Sequence, residues 1–248
     1  VTADDASVLQ RPAEPPDFLH AYGTEEEHIA DVWKPQQQTD RPLILFLHGG
    51  YWRPKIDRQH ARHTCAELSR RGWPVASLEY PRVPGDPDQS HRAVQQGVQA
   101  LPESLGFQDA LLVGHSAGGQ LSLWLAATSP PASLRGVLAL APVADLKQAH
   151  TMELGEGAVA DFLGEDPTAR PDLDPAQHPA PEVPTTVLHG VHDSRVPVSI
   201  SEDYVQSHPS VRLLRLDPGD HFTVIDPEQS QWRHIPAELE RLQGQSLS

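Results

Sequence analysis

The stretch ALLVGHSAGG (110–119) decides how this chain is read. Ala110 to Val113 form a short apolar run without polar alternation, the pattern of a strand buried on both faces. From about Ala117 to Thr128 the residues suit a helix. Between the two stands Gly114-His115-Ser116-Ala117-Gly118, which matches G-x-S-x-G. A chain that turns abruptly from strand to helix holds the serine in a strained backbone conformation. Small residues two before and two after leave room for that turn. The side chain then stands clear beyond the strand, near the positive end of the following helix. The spacing makes Ser116 the candidate nucleophile; the plain alternative is a small-residue turn that serves close packing.

Upstream, PLILFLHGG (42–50) reads as a central parallel strand, apolar on both faces and stopped by Gly49-Gly50. Ile29 to Trp33 suits an edge strand, and residues 75–80, 134–142, 185–190 and 211–217 suit further strands. Helices are expected over 56–71, 89–105, 117–128 and 197–207, with a last one in SQWRHIPAELERLQ (230–243). Residues 1–25 are Pro- and acid-rich and read as irregular. Strand and helix alternate, which gives a mostly parallel sheet covered on both faces, in one α/β domain over 1–248. Residues 146–182 differ in texture, acidic and Pro-rich, and are long for a loop, so a lid-like insertion is expected there.

His48-Gly49-Gly50-Tyr51-Trp52 follows the first strong strand. In a sheet with a serine turn of this kind, that loop offers backbone N–H groups to a developing oxyanion. The expected donors come from Gly49, Gly50 and Tyr51, with one from Ala117 on the serine turn. His48 reads as structural, a lock on the loop. Chain order supplies the other two groups. TVLHGVHDSRVP (186–197) ends a strand and carries Asp193; VRLLRLDPGDHF (211–222) ends another and carries His221. Both lie past carboxyl ends of strands, where sites in open parallel sheets form. His221 is the expected general base, and Asp193 the acid that fixes its tautomer. Asp145, Asp217 and Asp220 are rival acids. His189 and His192 read as loop contacts, and His20, His60, His63, His91, His150, His208 and His234 as surface residues.

Composition excludes other classes. The formal net charge of -15 argues against nucleic acid and anionic membrane as partners, which leaves a small-molecule substrate. No apolar run reaches the roughly 18 residues that span a bilayer, and the acidic start shows no leader, so the cytoplasm is the expected compartment. Cys65, the one cysteine, can form no internal disulfide and reads as a buried or half-buried helix thiol. His60/His63 and His189/His192 lack the H-E-x-x-H pattern and a third ligand, so neither a metal nor another cofactor is expected. A homodimer is compatible with the sequence.

With these motifs placed, the chain resembles the arylformamidases, or kynurenine formamidases, of the α/β-hydrolase type. The resemblance runs from about Asp31 to Asp226. It rests on His-Gly-Gly-x-Trp at 48–52, Gly-His-Ser-Ala-Gly at 114–118 and Asp-His-Phe at 220–222. It implies the α/β-hydrolase fold and cleavage of N-formyl-L-kynurenine to kynurenine and formate in tryptophan breakdown. Tyr51, Trp52, Phe162 and Phe222 are the candidate wall for its aromatic part, and ordinary core packing is the competing role for them. Related carboxylesterases carry His-Gly-Gly-Gly variants of the same loop, so a short-chain esterase is the first alternative. A non-catalytic binding protein on a hydrolase scaffold is the second.

Overall fold

The structure, a computed structural model, describes residues 4–244. Its centre is an eight-stranded sheet in the order β1-β2-β4-β3-β5-β6-β7-β8. The strands are β1 (Phe18–Ala21), β2 (Ile29–Trp33), β3 (Leu43–Leu47), β4 (Val75–Leu78), β5 (Ala110–His115), β6 (Leu134–Leu140), β7 (Thr185–Gly190) and β8 (Arg212–Leu216). β1 and β2 run antiparallel; from β4 to β8 every pairing is parallel. All five β3 residues are buried. Leu43, Leu45 and Leu47 face one helical layer, and Ile44 and Phe46 face the other. Burying such a side chain fully contributes about 1.5–3 kcal/mol, which is why the two-sided apolar runs lie mid-sheet.

One face carries α2 (Pro87–Ser104), α3 (Ala117–Thr128) and α6 (Val198–Ser207); the other carries α1 (Arg62–Arg70) and α7 (His234–Gln243). The insertion after β6 folds as α4 (Leu146–Thr151), α5 (Leu154–Leu163) and three short 3-10 turns. It is tied to the body where Gln120 Nε2 donates to the Leu173 carbonyl at 2.8 Å and Trp124 Nε1 to that of Asp172 at 3.0 Å. α5 opens with a left-handed run, with φ of 59° at Gly155, 59° at Glu156 and 82° at Gly157.

Two expectations need correction. Residues 1–25 are not wholly irregular, because Ala6–Gln10 forms a 3-10 turn and β1 pairs with β2. β2 is therefore not an edge strand. β1 was hidden by its half-exposed pattern, with Phe18 and His20 partly buried and Leu19 exposed. Cys65 is buried, and desolvation pushes its thiol pKa up. Among the described residues no helix is long and apolar enough to cross a membrane.

Candidate active site

β5 ends at His115, and the chain reverses into α3 through Ser116, whose φ of 55° and ψ of -115° lie outside the ordinary regions. Three backbone bonds hold that conformation: Ser116 N–H donates to the Leu140 carbonyl at 2.8 Å, and the Ser116 carbonyl accepts from Gln120 N–H at 3.1 Å and Val143 N–H at 3.2 Å. Gly114 and Gly118 are sterically required. A Cβ at Gly114 would overlap the Gly118 carbonyl, and one at Gly118 would overlap the Leu47 carbonyl at the end of β3. The turn thus seats the serine over the carboxyl ends of β3 and β5.

The loops after β7 and β8 bring Asp193 and His221 together. His221 Nδ1 lies 2.7 Å from Asp193 Oδ2. Asp193 Oδ1 accepts backbone N–H bonds from Arg195 at 2.9 Å and Val196 at 2.8 Å. Burial alone would raise the Asp193 carboxyl, but His221 and His189 against it prevail and hold it well below the usual carboxylate range. His221 lines, with Ser116, a cavity of about 330 Å³. Ser116 Oγ has no hydrogen-bond partner among the described residues. The rival acids are engaged elsewhere. Asp145 caps α4 through Gln148 N–H at 2.7 Å, Asp220 accepts from the N–H groups of Phe222 and Thr223, and the side chain of Asp217 is 76% exposed.

The 48–52 loop reaches the same cavity. Gly50 has φ 116°, Tyr51 φ 52° and Trp52 φ 53°, and Gly50 and Tyr51 line the cavity. Gly49 backs onto the serine: a Cβ there would lie 3.0 Å from the Cβ of Ser116. Among the described residues the backbone N–H groups of Gly50, Tyr51 and Ala117 meet no acceptor. His48 is buried beneath the loop, with Nδ1 2.8 Å from the Gly49 carbonyl and Nε2 3.1 Å from Glu79 Oε1. Burial pushes the Glu79 carboxyl up, yet its contacts with His48 and Arg82 hold it at about 2.

The four aromatic candidates separate. Tyr51 and Phe222 line the cavity. Tyr51 O–H donates to the Arg195 carbonyl at 2.7 Å, and burial raises its phenol to about 12. Trp52 and Phe162 do not line it. They stack on one another and flank a neighbouring cavity of about 520 Å³, which also has Tyr51 in its wall. The positive φ of Tyr51 and Trp52 turns the indole inward, where Nε1 donates to Gln120 Oε1 at 3.3 Å.

Several histidines were misplaced by sequence reasoning. His91 and His208 are buried rather than at the surface. His60 lines the cavity, and its Nε2 lies 3.0 Å from His115 Nδ1. His115 Nε2 in turn contacts the backbone carbonyl of His221 at 3.0 Å. Desolvation lowers His60 to about 3 and His115 well below its ordinary value, so both rings are neutral near pH 7. Three cations in the cavity wall, Arg53, Lys55 and Arg195, also went unread, as did Leu9, Ile56 and Glu156. Arg53, Lys55 and Ile56 follow the 48–52 motif on the same loop, while Leu9, Glu156 and Arg195 join them from distant segments. Among the described residues no cluster of three or more His, Cys, Asp or Glu could hold a metal.

Known proteins resemble the chain as follows. The prolyl oligopeptidase family matches residues 93–210. The sn-1-specific diacylglycerol lipase ABHD11 of Mus musculus is 32% identical over 44% of this chain, which spans only 36% of that relative's length. A kynurenine formamidase of Salmo salar is 24% identical over 91% of this chain and 81% of its own. Esterase B of Lactobacillus rhamnosis superposes with a TM-score of 0.77 at 19% identity, covering 96% of this chain and 90% of that one. Sheet order, serine turn and the likeness to solved esterases show the α/β-hydrolase fold, with Ser116, Asp193 and His221 at the carboxyl end of its sheet.

Proposed function

We propose that the protein is a serine hydrolase that removes a small acyl group, and that its substrate is the aryl formamide N-formyl-L-kynurenine. Ser116 Oγ attacks the formyl carbon while His221 takes its proton, and Asp193 holds the ring in the required tautomer. The oxyanion is received by the backbone N–H groups of Gly50, Tyr51 and Ala117, each typically worth about 3 kcal/mol in the transition state. His221 then protonates the departing aryl amine as the C–N bond breaks. Water, activated by the same ring, releases formate from the formyl-enzyme.

The observation that carries the substrate assignment is the character of the cavity. Its 330 Å³ lies at the small end of the range for ligand pockets, about 300–1,000 Å³, which disfavours long acyl chains. On a chain of net charge -15 its wall nevertheless has three cations, Arg53, Lys55 and Arg195, against one carboxylate, Glu156. That balance suits a carboxylate on the leaving group, and the Tyr51 and Phe222 rings suit an aryl ring. The likeness to a kynurenine formamidase supports the same reading.

The apolar side chains of Leu9, Ile56 and Phe222 at the cavity favour a second reading, a short-chain carboxylesterase. Turnover of N-formyl-L-kynurenine and of a short-chain nitrophenyl ester, measured side by side, separates the two. The formamidase reading expects efficient formamide cleavage with KM raised severalfold in Arg195→Ala. Ester cleavage alone would leave the esterase.

A further inference from the structure

We infer that His189 is a positioning residue for the base, a second imidazole that donates to Asp193 and shares the carboxylate with His221. This rests on the reading of Ser116, His221 and Asp193 as a triad. Asp193 Oδ2 meets two ring nitrogens, His221 Nδ1 at 2.7 Å and His189 Nε2 at 3.1 Å. His189 Nε2 also faces the Val196 carbonyl at 2.9 Å. A nitrogen set between two oxygen acceptors carries the hydrogen. The other ring nitrogen, Nδ1, lies 2.7 Å from Ser201 Oγ. In the neutral ring Nδ1 must accept, so the Ser201 hydroxyl donates and fixes the Nε2–H tautomer. His189 and Ser201 are both fully buried.

The arrangement does two things for His221. It leaves Asp193 little freedom, since its oxygens are held by two backbone N–H groups on one side and two imidazoles on the other. It also withdraws charge from Oδ2, so the carboxylate stabilises the His221 imidazolium less than an undivided one would. The other groups around this pair come from several elements. The His115 ring lies 4.7 Å from that of His221, and the neutral His60 lies behind it. Tyr51 and Arg195 face the Asp193 side. Asp4 accepts the His221 backbone N–H at 3.4 Å. None of these touches the Asp193 carboxylate through a side chain; His189 does.

The test is the pH profile of kcat/KM in His189→Phe and His189→Gln beside the wild type. Loss of the donor in His189→Phe should move the acid limb to higher pH by about half a unit to one unit. His189→Gln, whose amide N–H can reach the same place, should restore most of that shift. An acid limb unmoved in His189→Phe, or moved equally in both variants, would overturn the inference and leave His189 a packing residue. If His189→Phe does not fold, nitrogen-15 NMR of the wild type at pH 8 decides: an Nε2–H tautomer is expected, and an Nδ1–H ring contradicts it. Ser116→Ala tests the underlying reading separately, because turnover that survives there removes the triad without altering the His189 tautomer.

Discussion

The Trp52 indole lies flat against the Phe162 ring, with centroids 4.5 Å apart and planes 8° from parallel. The contact joins the loop after β3 to α5 of the insertion. Both rings are buried, so they act as a clasp between body and insertion. Trp52→Ala should therefore cost stability, about 3–5 kcal/mol as for other large core truncations. Urea unfolding beside steady-state kinetics checks this. A large rise in KM without loss of stability would return Trp52 to the substrate wall.

Gly50 combines a φ of 116° with Ile56 packed where a Cβ would stand. Gly50→Ala should shift the backbone N–H groups that the proposed reaction assigns to the oxyanion. The expected result is a fall in kcat on the order of 10²–10³ with a smaller change in KM. Equal kcat in the variant would mean that the oxyanion is held elsewhere.

Asp193 and Asp145 should respond differently to the same chemical change. Asp193→Asn loses the acceptor for His221 Nδ1–H and should lower kcat by roughly 10⁴, the scale known for loss of tautomer control. Asp145 caps α4, so Asp145→Asn should leave kcat near the wild-type value, with at most about 1 kcal/mol lost in unfolding. Reversed effects would exchange the roles of the two acids.

Acid should weaken the fold before its carboxylates titrate. Desolvation lowers the buried His91 to about 4, whereas in the unfolded chain a histidine titrates near its ordinary 6.5. Between those values the unfolded state takes up a proton that the native state refuses, so stability is full above pH 6.5 and falls as pH drops. From pH 7 to pH 5 this one ring removes roughly 2 kcal/mol. His60 and His115 act in the same direction. Urea unfolding at the two pH values should show a smaller loss in His91→Gln than in the wild type, and equal losses would contradict the assignment to His91.

The strands β3, β5, β6 and β7 were legible because two buried faces leave an unbroken apolar run, which needs no knowledge of neighbours. Ser116, Asp193 and His221 were legible because turn chemistry and strand ends mark them locally. What escaped depends on partners distant in sequence. The donor from His189 to Asp193 exists only because the loop after β7 folds back on its own strand. Glu79 draws His48, Arg58 and Arg82 to one buried carboxylate, and nothing in VASLEY announces it. Whether Trp52 faced substrate or core was set by a left-handed backbone at Tyr51 and Trp52, which residue type alone does not encode.

In the proposed reaction Ser116 is the nucleophile, activated through His221. Labelling with a fluorophosphonate, followed by peptide mass spectrometry and turnover assays, checks this. One adduct is expected, on Ser116, with labelling and hydrolysis both lost in Ser116→Ala and labelling strongly slowed in His221→Ala. An adduct on another residue, or hydrolysis that persists in Ser116→Ala, would contradict it.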